Sequence, residues 1–168
     1  DSLTITSNRW YSHYGVQGQM FAGDGGYVWP GEAAPTSGHK NVPALQQNAC
    51  AMCHMPNPAG GNDAVSGGHS MKIEYSTTGT DTLFNLAGCN TSGCHSGVGK
   101  TQLLSFQQPV EDSLVILENR LIALGYLNAS TKLVNASSSS PLKLPVEQAG
   151  ALYNYFFLEH DLSLGIHN

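Results

Sequence analysis

Two short stretches hold all four cysteines of the chain, and each ends in histidine: Cys50-Ala51-Met52-Cys53-His54 and Cys89-Asn90-Thr91-Ser92-Gly93-Cys94-His95. A Cys-x-x-Cys-His run is typical of the covalent attachment of a c-type haem. On one turn of backbone, two thiols can reach the two vinyl groups of a porphyrin while the next residue turns its imidazole onto the iron. The first stretch therefore predicts a haem bound by Cys50, Cys53 and His54.

The second stretch has two additional residues between its cysteines, which is a rarer spacing. A loop that contains Gly93 can bulge outward and still present both sulfurs and the histidine. A structural zinc site, a redox-active dithiol and a disulfide framework are competing interpretations of the cysteines. Zinc sites seldom place histidine directly after the second cysteine twice, a dithiol accounts for one stretch only, and a disulfide framework leaves both histidines unexplained. We therefore expect a second covalent haem c on Cys89, Cys94 and His95.

The predicted haems also indicate the compartment, because the thioether bonds of a c-type haem form outside the cytoplasmic membrane. We expect a secreted protein, extracellular or in the periplasm or at the cell surface. The opening residues Asp1-Ser2-Leu3-Thr4 lack the basic start and apolar stretch of a signal peptide, so we expect the mature form. The net charge of -5, without a stripe of Lys and Arg, disfavours nucleic acid as a partner. No apolar run approaches the roughly 18 residues that span a bilayer, so we expect no membrane span.

Two segments have helical periodicity. The first covers residues 110–124, with acidic residues in its opening turn and Gly125 at its end. Its predicted apolar face consists of Val110, Leu114, Leu117, Leu121 and Leu124. The second runs from about residue 146 to residue 161, and its predicted apolar side consists of Val146, Ala149, Leu152, Tyr153, Phe156 and Phe157. Its aromatic residues, Tyr155 among them, are expected either to pack on porphyrin faces or to form an ordinary helix core.

The rest of the chain has little periodicity. Residues 1–45 are expected to be coil with turns, residues 43–53 a short helix with Pro43 in its first turn, and residues 72–77 a short extended piece. A chain this poor in regular structure usually needs something other than a protein core to organise around. We expect a single dihaem domain over residues 1–168, mainly α-helical with extensive coil, in a small loop-rich multihaem cytochrome fold organised around two haems.

Each iron also needs a sixth ligand. The histidines outside the two stretches are His13, His39, His69, His160 and His167. Met71 is the methionine that competes with them, because Met52 and Met55 lie within or directly after the first stretch and cannot easily reach the far face of its haem. With seven histidines and four methionines in the chain, ligation by two histidines is the expected arrangement.

Several patches resemble the multihaem c-type cytochromes, a family that includes filament-forming members. The segments that resemble them are Cys53-His54-Met55-Pro56, Gly67-Gly68-His69-Ser70-Met71-Lys72, the opening Tyr11–Gln17 with Phe21-Ala22-Gly23, Ser37-Gly38-His39, Asn154-Tyr155 and the closing Asp161–Asn168. The resemblance implies that His69, in the "GGH" passage, and His167, in the terminal "GxHN", are the distal ligands. It leaves open which iron each histidine binds.

His13 and His39 are then surplus to the two distal positions. They are either surface or propionate-binding histidines, or one of them ligates a haem of this chain in place of His69 or His167. A third interpretation is that one ligates a haem of a neighbouring subunit, as in the filament-forming cytochromes, where such bonds join a homopolymer. We expect His160 to lie on the surface.

The expected function is outer-sphere electron transfer, because two irons saturated by protein ligands leave no position open for a substrate. We expect no enzyme activity, and partners that are redox proteins or extracellular acceptors. The alternative is a haem enzyme with one open iron that reduces a small molecule such as nitrite or peroxide. Neither a lysine-ended haem motif nor an evident pocket of Arg, His and Tyr residues supports that alternative.

Overall fold

Short helices and strands joined by long irregular segments make up the fold. The computed structural model describes residues 1–58 and 64–168. Its α-helices are α1 (Gln17–Ala22), α2 (Pro43–His54), α3 (Lys100–Ala123) and α4 (Val146–Asp161), and its strands are β1 (Ser2–Ile5), β2 (Glu74–Tyr75), β3 (Leu83–Phe84) and β4 (Leu142–Pro145). The expected mainly α-helical, loop-rich fold is thereby confirmed. None of the described helices is long and apolar enough to cross a membrane.

The described chain divides into two compact units. Unit 1 consists of Asp1–Ser37 together with Gln107–Asn168, and unit 2 consists of Gly38–Phe106. The boundary between Phe106 and Gln107 falls inside α3. That the whole chain acts as one domain stays a prediction.

A two-stranded antiparallel sheet in unit 1 joins the start of the chain to the segment before α4. β1 pairs with β4 in a register that sets Ser2 opposite Pro145 and Ile5 opposite Leu142. The expectation of coil for residues 1–45 is therefore wrong at the short helix α1 and at β1. The partner that makes this segment a strand lies far along the sequence, and strand formation depends on that pairing more than on local preference.

Helix α4 spans the predicted residues and supplies one side of the core of unit 1. The main hydrophobic cluster consists of Ile5, Leu114, Leu121, Leu127, Val134, Ala136, Leu144, Ala149, Leu152, Tyr155 and Phe156. Phe157 packs in a smaller cluster with Val16 and Met20, and Tyr153 lies against it. Burial of each large apolar side chain stabilises the fold by about 1.5–3 kcal/mol. Unit 1 therefore has a protein core of its own, and the aromatic residues of α4 belong to it.

Helix α3 is longer than its periodicity predicts. It begins at Lys100, so Glu111 and Asp112 lie in its middle and the expectation that they occupy its opening turn is wrong. Pro109 lies inside the helix, where it has no N–H to donate to the helical ladder. The apolar spacing extends before this proline, at Leu103 and Phe106, but a proline inside a helical pattern is typical of a helix boundary, so the sequence predicts only the second half of the helix.

The predicted end of α3 at Gly125 is confirmed. Gly125 has φ +75°, and the Tyr126 N–H donates to the Leu121 carbonyl oxygen over 2.9 Å. These are features of a helix terminated by glycine in the left-handed region. Leu124, which the spacing places on the apolar face, is instead 60% exposed. It follows the last helical residue, where the chain has already begun to turn.

His160 is buried, which corrects the expectation that it lies on the surface. Its Nδ1 lies 2.7 Å from the Ser12 carbonyl oxygen, and its ring contacts Tyr11, Tyr14 and Phe156. Because a carbonyl oxygen only accepts, Nδ1 carries the hydrogen of this bond. A single histidine without a surrounding pattern gives no sequence signal from which such packing could be predicted.

Unit 2 has little protein core. Pro43 lies in the first turn of α2, as expected. The extended piece predicted for residues 72–77 contains β2, which pairs with β3. In the described part of unit 2, the buried aliphatic side chains are Leu45, Leu86 and Leu103, and none of them belongs to either hydrophobic cluster. The described part of unit 2 therefore has fewer buried apolar side chains than unit 1.

Candidate functional site

Both cysteine stretches lie in unit 2, which also contains two of the candidate distal histidines. The candidate site residues of unit 2 are Cys50, Cys53, His54, Cys89, Cys94, His95, His39 and His69. The other two, His13 and His167, belong to unit 1. All four cysteines are free thiols, so a disulfide framework does not describe this structure. In residues 1–58 and 64–168, no three side chains of His, Cys, Asp or Glu are grouped to hold a bare metal ion.

The first stretch forms the last turn of α2. Ala49 has φ +41° and ψ -125°, which interrupts the helix directly before Cys50 and lets residues 50–54 form a turn of their own. Cys50 is exposed and Cys53 is half-buried. Burial, with smaller effects of the nearby Cys89, Cys94 and Cys50, raises the pKa of the Cys53 thiol to about 11. Cys53 therefore stays protonated at neutral pH.

A backbone carbonyl fixes the orientation of the His54 imidazole. His54 Nδ1 lies 2.7 Å from the Met71 carbonyl oxygen, so Nδ1 carries the hydrogen and donates it. The lone pair of the neutral ring is then on Nε2. Histidines that bind metal characteristically donate their other ring N–H in this way, which fixes the tautomer and raises the basicity of the ligating nitrogen. Nε2 is therefore the ring nitrogen through which a neutral His54 can bind a metal.

The segment that contains His69 packs against the residues that directly follow the first stretch. The Gly68 N–H donates to the Met55 carbonyl oxygen over 3.0 Å, and the Asn85 side-chain amide donates to the Pro56 carbonyl oxygen over 2.7 Å. Gly67 has φ +67° and packs directly on that Pro56 oxygen, where a Cβ atom would overlap it. Glycine is required here both by the backbone conformation and by the space. His69 follows in a single 3-10 turn, Gly68–Ser70, and is exposed.

The second stretch forms a closed loop that accommodates its two additional residues. Gly93 has φ +85°, and the His95 N–H donates to the Cys89 carbonyl oxygen over 3.1 Å. The Asn90 side chain accepts from the Val98 N–H over 2.7 Å and donates to the Val98 carbonyl oxygen over 2.9 Å. Burial, with a smaller effect of nearby Cys94, raises the pKa of Cys89. The bulge expected at Gly93 is thus present and held at its base.

The two stretches contact each other directly at Gly88. A Cβ atom on Gly88 would lie 2.6 Å from the Cys53 Cα and 2.6 Å from the Cys53 carbonyl oxygen. Real Cβ atoms do not approach backbone so closely, so only glycine fits between the two segments. Since Gly88 precedes Cys89, this contact places the attachment points of the two predicted haems side by side.

His39 lies next to the histidine of the second stretch. The ring centroids of His39 and His95 are 6.3 Å apart, and the two ring planes are inclined by 84°. His39 is half-buried and His95 is exposed. The sequence left the role of His39 open, because the pattern around it does not indicate which other residue it faces.

His167 in unit 1 is held by a carboxylate. Its Nδ1 lies 2.7 Å from Asp161 Oδ1, and Asp161 is buried. Ser163 supports both residues, because its hydroxyl donates to Asp161 and accepts from the His167 N–H. The closing segment Asp161–Asn168 contains all three residues, of which only the histidine is a predicted site residue. His13 is exposed in the segment between β1 and α1.

No protein-family model matches the chain, and comparison with curated protein sequences and with solved structures gives no match either. The function is therefore inferred from the motifs and from the geometry of unit 2.

Proposed function

We propose that this protein is an exported c-type cytochrome that carries two covalently bound haems and transfers electrons. One observation carries the proposal: the unit that holds both Cys…Cys-His stretches is also the unit without a hydrophobic cluster among its described residues. Exposed apolar side chains occur there at Met55, Met71, Leu83, Leu104 and Phe106. Two porphyrins would supply the apolar surface that unit 2 needs to organise its long irregular segments.

The residues of unit 2 have the chemistry that covalent haem binding requires. Cys50, Cys53, Cys89 and Cys94 are free thiols available for thioether bonds, and His54 and His95 directly follow the second cysteine of each stretch. A bound haem supplies one-electron chemistry between the ferric and ferrous states of its iron. The hydrogen bond to the Met71 carbonyl places the hydrogen of the neutral His54 ring on Nδ1, so Nε2 is the nitrogen that would bind the iron.

Met71 itself is disfavoured as the ligand opposite His54. Its carbonyl oxygen contacts Nδ1, on the side of the imidazole turned away from Nε2. If Nε2 bound a haem iron, the other protein ligand would have to approach from beyond Nε2. Met71 therefore orients His54, and histidine remains the better candidate for the sixth position, which implies a low reduction potential.

The contact at Gly88 supports transfer between the two haems. Because the Gly88 backbone packs against that of Cys53, the covalent anchors of both groups belong to one contact region. The protein would then pass electrons between neighbouring haems and on to redox proteins or extracellular acceptors. The same proposal includes assembly into an extracellular filament, which is motivated by the resemblance to filament-forming cytochromes. In such a filament the exposed His13 would be a ligand to the haem of a neighbouring copy.

The proposal is tested by the mass of the exported protein under denaturing conditions, where haem without a covalent bond is lost. We expect the mass of the polypeptide plus two haems. The paired substitutions Cys50→Ala with Cys53→Ala, and Cys89→Ala with Cys94→Ala, are each expected to remove one haem and leave the other. A polypeptide that carries no haem after export through a functional haem-attachment pathway would contradict the proposal.

A further inference from the structure

We infer that His39 and His95 bind the same iron from opposite sides, so that the second haem takes its distal ligand from the segment that leads into the first haem stretch. The inference rests on the proposed function, because it concerns the ligands of one of the two proposed haems. The family resemblance implies His69 or His167 as the partner of His95, whereas the assignment proposed here puts His39 in that place.

The distance between the two rings carries the inference. A metal–imidazole bond is about 2.0 Å long and the ring centroid lies about 1.1 Å behind the ligating nitrogen, so two imidazoles on opposite sides of one metal have centroids about 6.2 Å apart. The centroids of His39 and His95 are 6.3 Å apart. Their separation is thus the one that a shared iron requires.

An ordinary edge-to-face contact is the competing explanation, because aromatic pairs pack with centroids about 4.5–7 Å apart. Such packing gains stability mainly when the rings are buried, whereas His95 is exposed and His39 only half-buried. Two imidazoles that are not both buried therefore gain little from their ring contact alone. A shared ligand gives a physical reason for bringing them together.

The backbone holds both histidines from separate directions. His39 is the first residue of a 3-10 turn, His39–Asn41. The His39 carbonyl oxygen accepts a hydrogen bond from the Val42 N–H over 3.1 Å, and α2 begins at the next residue, Pro43. His95 closes the loop of the second stretch through its bond to Cys89. A bond from each histidine to one iron would therefore connect the α2 segment to the second stretch and stabilise unit 2 across its two haem-binding segments. His69 and His167 would remain as candidates for the first iron.

The first test uses the wild-type protein with both haems attached. Two axial imidazoles with nearly perpendicular planes give a ferric low-spin haem a strongly anisotropic EPR signal with one very large g value, whereas parallel planes give a rhombic signal. The angle of 84° between His39 and His95 predicts the strongly anisotropic type for one of the two haems. If both haems give rhombic signals, the inference is wrong.

The second test is His39→Ala, with Lys40→Ala in the same turn as the matched control. We expect His39→Ala to keep two haems by mass while half of the reduced Soret band shifts on addition of carbon monoxide, and imidazole to restore the low-spin spectrum of that haem. Lys40→Ala should leave both haems unreactive. In a protein that already carries Cys89→Ala and Cys94→Ala, His39→Ala should not change the absorption spectrum of the remaining haem or its response to carbon monoxide.

Two results separate this inference from the proposed function. Two attached haems in His39→Ala, both still unreactive toward carbon monoxide, would overturn the assignment of His39 and leave the cytochrome proposal standing. Absence of covalent haem from the wild-type protein would overturn both.

Discussion

Without haem attachment, the chain is expected to lose the folded structure of unit 2 and to keep that of unit 1. Unit 1 has a hydrophobic cluster that links β1, β4, α3 and α4. Unit 2 has three separate buried leucines in its described part, which is too little apolar burial to offset the conformational entropy of its long irregular segments. We expect amide hydrogens of residues 38–106 to exchange on the order of 1,000-fold faster than in the haem-loaded protein.

Hydrogen exchange followed by mass spectrometry measures both units in one sample. The control is the same polypeptide exported with haem attachment, and the peptides of α4 and β1 serve as an internal reference because their exchange should not change. Equal protection of residues 38–106 with and without haem would show that unit 2 folds on its own protein contacts, and the central support for the proposed function would be lost.

Gly88→Ala is expected to destabilise the haem-loaded protein by about 3 kcal/mol, near the upper end for overpacked sites. The added Cβ would lie 2.6 Å from backbone atoms of both Met52 and Cys53, and backbone cannot move aside as a flexible side chain does. The two haem-binding stretches would have to separate. Unfolding in guanidinium chloride, followed by the Soret band of the haems, measures the change.

Gly99→Ala is the matched control in the same unit. Among the described residues, no atom lies within 4 Å of a Cβ atom at Gly99, and its φ lies outside the left-handed region. This substitution should therefore change the free energy of unfolding by no more than about 1 kcal/mol. Similar unfolding midpoints for Gly88→Ala and the wild-type protein would show that the two stretches do not pack as described.

Local pattern was sufficient for the elements with strong signals. The spacing of apolar residues predicted α4 over its full length, Pro43 predicted the start of α2, and Gly125 predicted the end of α3. In each case the signal lies within the element or directly beside it. The predicted beginning of α3 was wrong because Pro109 is typical of a helix boundary, although Leu103 and Phe106 continue the apolar spacing before it.

Features that depend on distant residues could not be predicted. β1 is a strand because β4 pairs with it, and His160 is buried because Ser12 and the neighbouring aromatic rings enclose it. For the site, the sequence identified the cysteines and the histidines that follow them, but not the carbonyl oxygen that holds His54. The proximity of His39 and His95 likewise arises only when the chain folds.

The most direct test of the central claim is the absorption spectrum of the dithionite-reduced protein, recorded with and without carbon monoxide. We predict a c-type spectrum that carbon monoxide leaves unchanged, because protein ligands saturate both irons of an electron carrier. A Soret shift in the isolated monomer that disappears in the assembled polymer would identify a ligand supplied by a neighbouring copy. A shift that persists in every assembly state would mean an open iron and contradict the electron-carrier account, as would a spectrum without c-type haem.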